Sequence, residues 1–142
     1  MTGFLVVRVG QRHLGLEIDR MVAVIDGFDV DVVPSVNPAV RGVTTVHERI
    51  VPLIHLGSLI TNTRPPDPYG RTMVLADCGG AVTAFEVDDA NEVVFETPQS
   101  VPDGLEIPWA SGVARWEGKL IPIVSVATLV DRLDPVILNG AA

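Results

Sequence analysis

Two stretches of the chain share one unusual layout. GVTTVHERIVPLIHL, from Gly42 to Leu56, and GVARWEGKLIPIVSV, from Gly112 to Val126, each open on Gly-Val and break at a charged turn. Each then carries a proline, Pro52 or Pro122, inside an apolar run that otherwise reads as a strand. A proline offers a β-ladder no N–H, so within a sheet it needs an edge, a strand's first residue or a bulge. The same defect at matching points asks for two equivalent sheet environments. The register supports this. Glu17-Ile18-Asp19 matches Glu86-Val87-Asp88, and Val24 falls on Val93, at a shift of 69 residues (17 to 86). Gly42-Val43 matches Gly112-Val113, and Arg49 to Ile54 matches Lys119 to Val124, at a shift of 70 (42 to 112). One residue of slippage across half the chain is what a duplicated unit leaves behind, so the sequence predicts two related halves.

Periodicity says what the unit is. Leu14, Leu16 and Ile18 alternate with polar neighbours after LVVRV, and the two runs join as a hairpin across Gly10 to His13. MVAVID adds a third strand, and Pro34 and Pro38 mark a loop. A second hairpin turns at His47-Glu48-Arg49, and TNTRPPDPYG is the clearest linker. Beyond it the pattern restarts with TMVLAD, Gly79-Gly80, AVTAFEV and NEVVFET; a proline-interrupted stretch from Pro98 to Pro108 precedes Gly112. Helical spacing shows near the C-terminus, where Val126, Leu129, Val130 and Leu133 recur before Pro135. The expectation is an all-β chain of two small five-stranded barrels sharing a core, since strands this short must close or share one to be stable. The whole of 1–142 reads as one domain: subdomain one over about 10–70, subdomain two over about 71–133, an N-terminal strand open to sharing, and a tail at 134–142.

Composition narrows the function. With 47% apolar and 20% charged residues the chain is a folding sequence rather than a disordered one. A net charge of −8 without a basic run argues against a nucleic-acid or anionic-membrane surface. The first charge comes at Arg8, no basic region leads a long apolar core, and no segment reaches membrane-span length, so neither a signal peptide nor membrane insertion is expected. A single cysteine, Cys78, excludes an internal disulfide and fits a reducing cytosol.

Catalytic and metal chemistry find little support. His47 and His55 sit on either side of a turn without the further ligands that zinc needs, so they read as surface or turn residues. Glu86, Asp88, Asp89 and Glu92, with Glu17 and Asp19 at the repeated positions, read as a solvated strand face and its turn rather than a carboxylate pair. Cys78 has no motif supplying a base and reads as a small buried residue at a hairpin, and no G-x-S-x-G elbow or phosphate loop occurs. Trp109 and Trp116 read as partly buried core, with interface anchors as the alternative.

VRGVTTVHERIVPLIHL, Val40 to Leu56, resembles the signature of CheW-like domains, which in typical members runs close to R-G-x-x-N-L-R-G-x-x-x-P-V-x-D-L. GVARWEGKLIPIVSV resembles the family's second-half motif, and Phe4 to Asp26 its opening strands, so the likeness runs from about Phe4 to Leu133. It implies two SH3-like barrels on one core, no enzymatic activity, no cofactor and no metal. It also implies a cytoplasmic adaptor at receptor clusters, coupling the tips of methyl-accepting chemoreceptors to a CheA-type histidine kinase. The family's kinase-facing surface would fall on Met21, Ala23, Arg41 and Gly42, and receptor contacts on His47, Glu48 and Val93. The sequence departs from the motif: Ala23 stands where a carboxylate is common, Thr45 for Asn, His47 for Arg, Glu48 for Gly and His55 for Asp. Arg to His removes a fixed bidentate cation, and Gly to Glu adds negative charge where positive φ is easiest for glycine. Receptor binding kept with kinase binding weakened is the expectation. A paralogue that binds receptor or another CheW-like adaptor, and so modulates the array, is the alternative.

Overall fold

In the computed structural model, residues 3–35, 37–61, 63–65 and 71–131 are described, Val130 and Asp131 by their backbone alone. The chain runs through β1 (Phe4–Val9), β2 (Arg12–Glu17), β3 (Met21–Asp26), β4 (Val40–Val46), β5 (Arg49–His55) and α1 (Leu56–Thr61). It then repeats the series as β6 (Thr72–Asp77), β7 (Val82–Val87), β8 (Asp89–Val94), β9 (Gly112–Trp116), β10 (Lys119–Val124) and α2 (Val126–Asp131). The expected helical positions Val126 and Leu129 lie on α2; Leu133, the tail at 134–142 and 66–70 of the linker lie outside the described residues.

The strands make two five-stranded sheets, ordered β8-β1-β2-β10-β9 and β3-β6-β7-β5-β4. Each is the other's copy under the repeat, but neither is built from one half of the chain. The hairpin β1–β2 sits in the sheet with β8, β9 and β10, and the hairpin β6–β7 in the sheet with β3, β4 and β5. A boundary near residue 70 therefore does not separate the sheets: the sharing expected of one N-terminal strand extends to a whole hairpin in both directions. The register repeats to the residue. Gly15 lies beside Ile123 in a parallel pair, as Ala84 lies beside Leu53. Leu5 faces Val93 as Val74 faces Val24, and each pairing carries a bulge at the equivalent place.

Three cores follow from this arrangement. Phe4, Val6, Trp116, Ile121 and Ile123 fill the interior of the first sheet, and Val51, Leu53, Met73, Leu75 and Ala84 that of the second. Between the sheets, Leu5, Val7, Leu14 and Leu16 meet Ile54, Val74, Phe85 and Val87, with Leu56 and Leu59 of α1 and Val126 and Leu129 of α2. Strands β1 and β6 are thus buried on both faces, which explains their unbroken apolar runs.

The prolines lie in interior strands. Pro52 faces Val43, whose N–H and C=O both bond Asp31 on the far side of β4 at 2.9 Å, so the pair is not hydrogen-bonded and the missing N–H points away from β4. On its other side the ladder to β7 begins only at Leu53. Pro122 repeats this opposite Val113, which bonds Gln99 at 2.8 Å, with the ladder to β2 beginning at Ile123. Each proline occupies a locally unpaired point of an interior strand, so no ladder bond is lost.

Candidate partner-binding surfaces

Strand β3 is an edge, and its β-branched sequence alternates inward and outward. Val22 and Val24 face out, 58% and 42% exposed, while Ala23 and Ile25 pack on the second sheet's interior. The bulge between Met21 and Ala23 turns Met21 toward the shared core instead. Met21 and Ala23 are therefore half-buried, and the outward side chains of this edge are the two valines, which the motif comparison passed over. Alternation along MVAVID could have picked them out, but it does not say which face is open. The sister edge β8 presents Val93, also 42% exposed, followed by Phe95 at 61%.

Arg41 and Gly42 lie on β4, the other edge of the second sheet, and both are buried. The Arg41 guanidinium donates from Nε to Glu86 Oε1 at 2.9 Å and from a terminal nitrogen to Oε2 at 3.1 Å, a two-pronged pair across the sheet. Gly42, at φ 147°, brings β4 against the backbone carbonyl of Asp31 where a Cβ would collide with it. Both residues are buried, and what they do in the structure is shape β4. Glu86 corrects the expectation of a solvated acidic face: it is 1% exposed on the interior strand β7, and its ion pair with Arg41 offsets the cost of burying the charge. The other carboxylates are exposed or half-buried, and several hold neighbouring segments together. Asp88 accepts from the Gly10 N–H, Glu17 from the Ser111 hydroxyl at 2.8 Å, and Glu92 from the Trp116 indole at 2.6 Å.

His47 and Glu48 form the exposed β4–β5 turn, with φ of 48° and 66°. The β9–β10 turn repeats the geometry with Glu117 at 48° and Gly118 at 76°. These left-handed pairs match the twist of a two-residue hairpin, so Glu48 occupies a position where glycine is the unstrained residue. His55 is buried rather than on the surface. Its Nδ1 accepts from the Ser58 N–H at 3.0 Å and hydrogen-bonds the Ser58 hydroxyl at 2.8 Å, capping α1. Ser125 and Thr128 make the same cap on α2. Burial lowers the His55 pKa below its ordinary 6.5, as does Arg41, against the opposing pull of Glu86 and Asp88. Cys78 is buried beside the β6–β7 turn, and burial raises its thiol pKa. Trp116 is core, whereas Trp109 is half-buried.

Among the described residues no group of three or more His, Cys, Asp or Glu could hold a metal ion, and no helix is long and apolar enough to cross a membrane. What the molecule offers a partner is strand edges, turns and apolar side chains. The profile of the CheW-like domain matches residues 3–134. Among solved structures, the scaffolding protein TtCheW from Thermoanaerobacter tengcongensis superposes with a TM-score of 0.76 at 18% identity, over 90% of this chain and 91% of that one. No curated protein sequence matches.

Proposed function

The chain belongs to the CheW-like domain family, and from that premise we propose that it is a non-enzymatic adaptor of chemotaxis-type signalling. It joins the cytoplasmic tip of chemoreceptors to a CheA-type histidine kinase, with the kinase contact weakened. One observation carries the reading: two related open edges, β3 and β8, hold Val24 and Val93 at repeat-equivalent positions with equal 42% exposure. A protein with two such edges on one rigid core can hold two partners at once. The weakening follows from the kinase-facing positions. Ala23 offers no carboxylate and points inward, while among the receptor-facing positions the exposed His47-Glu48 turn carries histidine and glutamate where the family motif carries arginine and glycine. That turn also favours the second reading, a paralogue that holds receptor or another CheW-like adaptor without recruiting the kinase.

The test is a pair of titrations of the purified chain, one against a chemoreceptor tip and one against the regulatory domain of a CheA-type kinase from the same cell. Receptor binding with weaker kinase binding than an ordinary adaptor supports the proposal. Equal strength to both removes the weakening, receptor binding alone selects the paralogue, and binding to neither overturns the adaptor role.

A further inference from the structure

A cleft of about 370 Å³ opens on the first sheet, between β2, the β9–β10 hairpin and the loop that joins β8 to β9. Buried Leu14 and Val113, with the exposed Leu105 and Leu120, give it apolar walls, and half-buried Trp109 adds an indole. Its charge runs against the molecule's. In a chain with 18 carboxylates and 10 Lys or Arg, the residues lining this cleft include Arg12, His13 and Lys119 and not one carboxylate. Arg12 and Lys119 are exposed, and neither has an ion-pair partner among the described residues. His13 is held against the Trp116 ring at 4.8 Å between centroids.

The repeat separates what the fold needs from what it does not. Leu120 and Lys119 have counterparts in Ile50 and Arg49, and Pro122 and Val113 in Pro52 and Val43. Arg12, His13 and Trp109, by contrast, fall on Ala81, Val82 and Ala39. The second sheet folds without the cation, the imidazole and the indole, so these three are not demands of the architecture.

We propose that this cleft binds a short acidic segment of a partner protein, an apolar side chain seated between Leu105, Trp109 and Leu120 with flanking carboxylates against Arg12 and Lys119. The apolar walls select for an anchoring side chain and the two unpaired cations for carboxylates beside it. None of the positions placed above on the kinase or receptor surfaces lines the cleft, so this contact stands or falls separately from the adaptor reading.

The test is an NMR titration of the full chain with three blocked peptides: Glu-Glu-Leu-Glu-Glu, its lysine counterpart Lys-Lys-Leu-Lys-Lys, and pentaglutamate. The expected result is saturable shifts from the first peptide centred on Leu105, Trp109 and Leu120, with none from the lysine peptide and weaker ones from pentaglutamate. The double substitution R12E/K119E, on two exposed side chains, should weaken binding about tenfold and leave the rest of the spectrum in place. Failure to saturate at millimolar peptide, unchanged affinity in the double variant, equal binding of the lysine peptide, or equal binding of pentaglutamate would each overturn the proposal.

Discussion

Arg41 and Glu86 form the most consequential pair of side chains in the molecule, because each is buried and each makes the other tolerable. Arg41→Met leaves a carboxylate without its cation in an apolar setting and should cost about 3–5 kcal/mol in urea unfolding. The double variant Arg41→Met/Glu86→Leu should recover most of that, since matched apolar groups are well tolerated where a buried pair is removed whole. His55, close by, makes stability depend on pH. Its folded pKa is lowered, so above the ordinary value of 6.5 the neutral ring is present in both states and the cap is intact. As pH falls below 6.5 the unfolded chain takes up the proton first, and stability declines until the folded pKa is passed. His55→Ser installs the cap that Ser125 already provides on α2. That variant should unfold with the same midpoint at pH 6 as at pH 8, while the unsubstituted chain loses stability over that step. A variant that kept the slope would locate the titrating group elsewhere. None of this was legible in the sequence: Glu86 looked like one more surface acid and His55 like a turn residue, because neither pattern reveals which strand ends up in the middle of a sheet.

At the level of elements the repeat was the informative signal. It placed the five strands of each half, and the two matched prolines marked points where a ladder has no use for an N–H, as Pro52 opposite Val43 shows. Helical spacing was read only near the C-terminus, and α1 was missed although Leu56–Thr61 stands where Val126–Asp131 stands in the repeat; so short an element has little periodicity of its own and is stabilised by burying Leu56, Leu59 and Ile60. The hairpin turns show how far the copies have diverged. Glu48 holds a conformation that Gly118 adopts freely, so Glu48→Gly should raise stability by about 1 kcal/mol, read as a higher urea midpoint with unchanged slope. A lower midpoint would mean that the glutamate makes a compensating contact.

For the molecule as a whole, the exchange of hairpins matters most, and it could not be read from the chain. Strand identity follows from local pattern, but the choice between pairing β2 with β5 or with β10 is between two near-identical surfaces, and only the three-dimensional assembly makes it. A consequence can be measured. Fragments 1–65 and 71–142 should each be unfolded alone, because either one lacks two or three strands of both sheets, and should regain β-type circular dichroism when mixed. A fragment that folded as a monomer would show that its own hairpin can close its own sheet. The same crossing-over has a mechanical side. Each sheet is laced shut by a loop of polypeptide that belongs to the other half, so tension applied at β3 reaches β6 and β7, and tension at β8 reaches β1 and β2. A load on either sheet is therefore carried by strands from both halves of the chain.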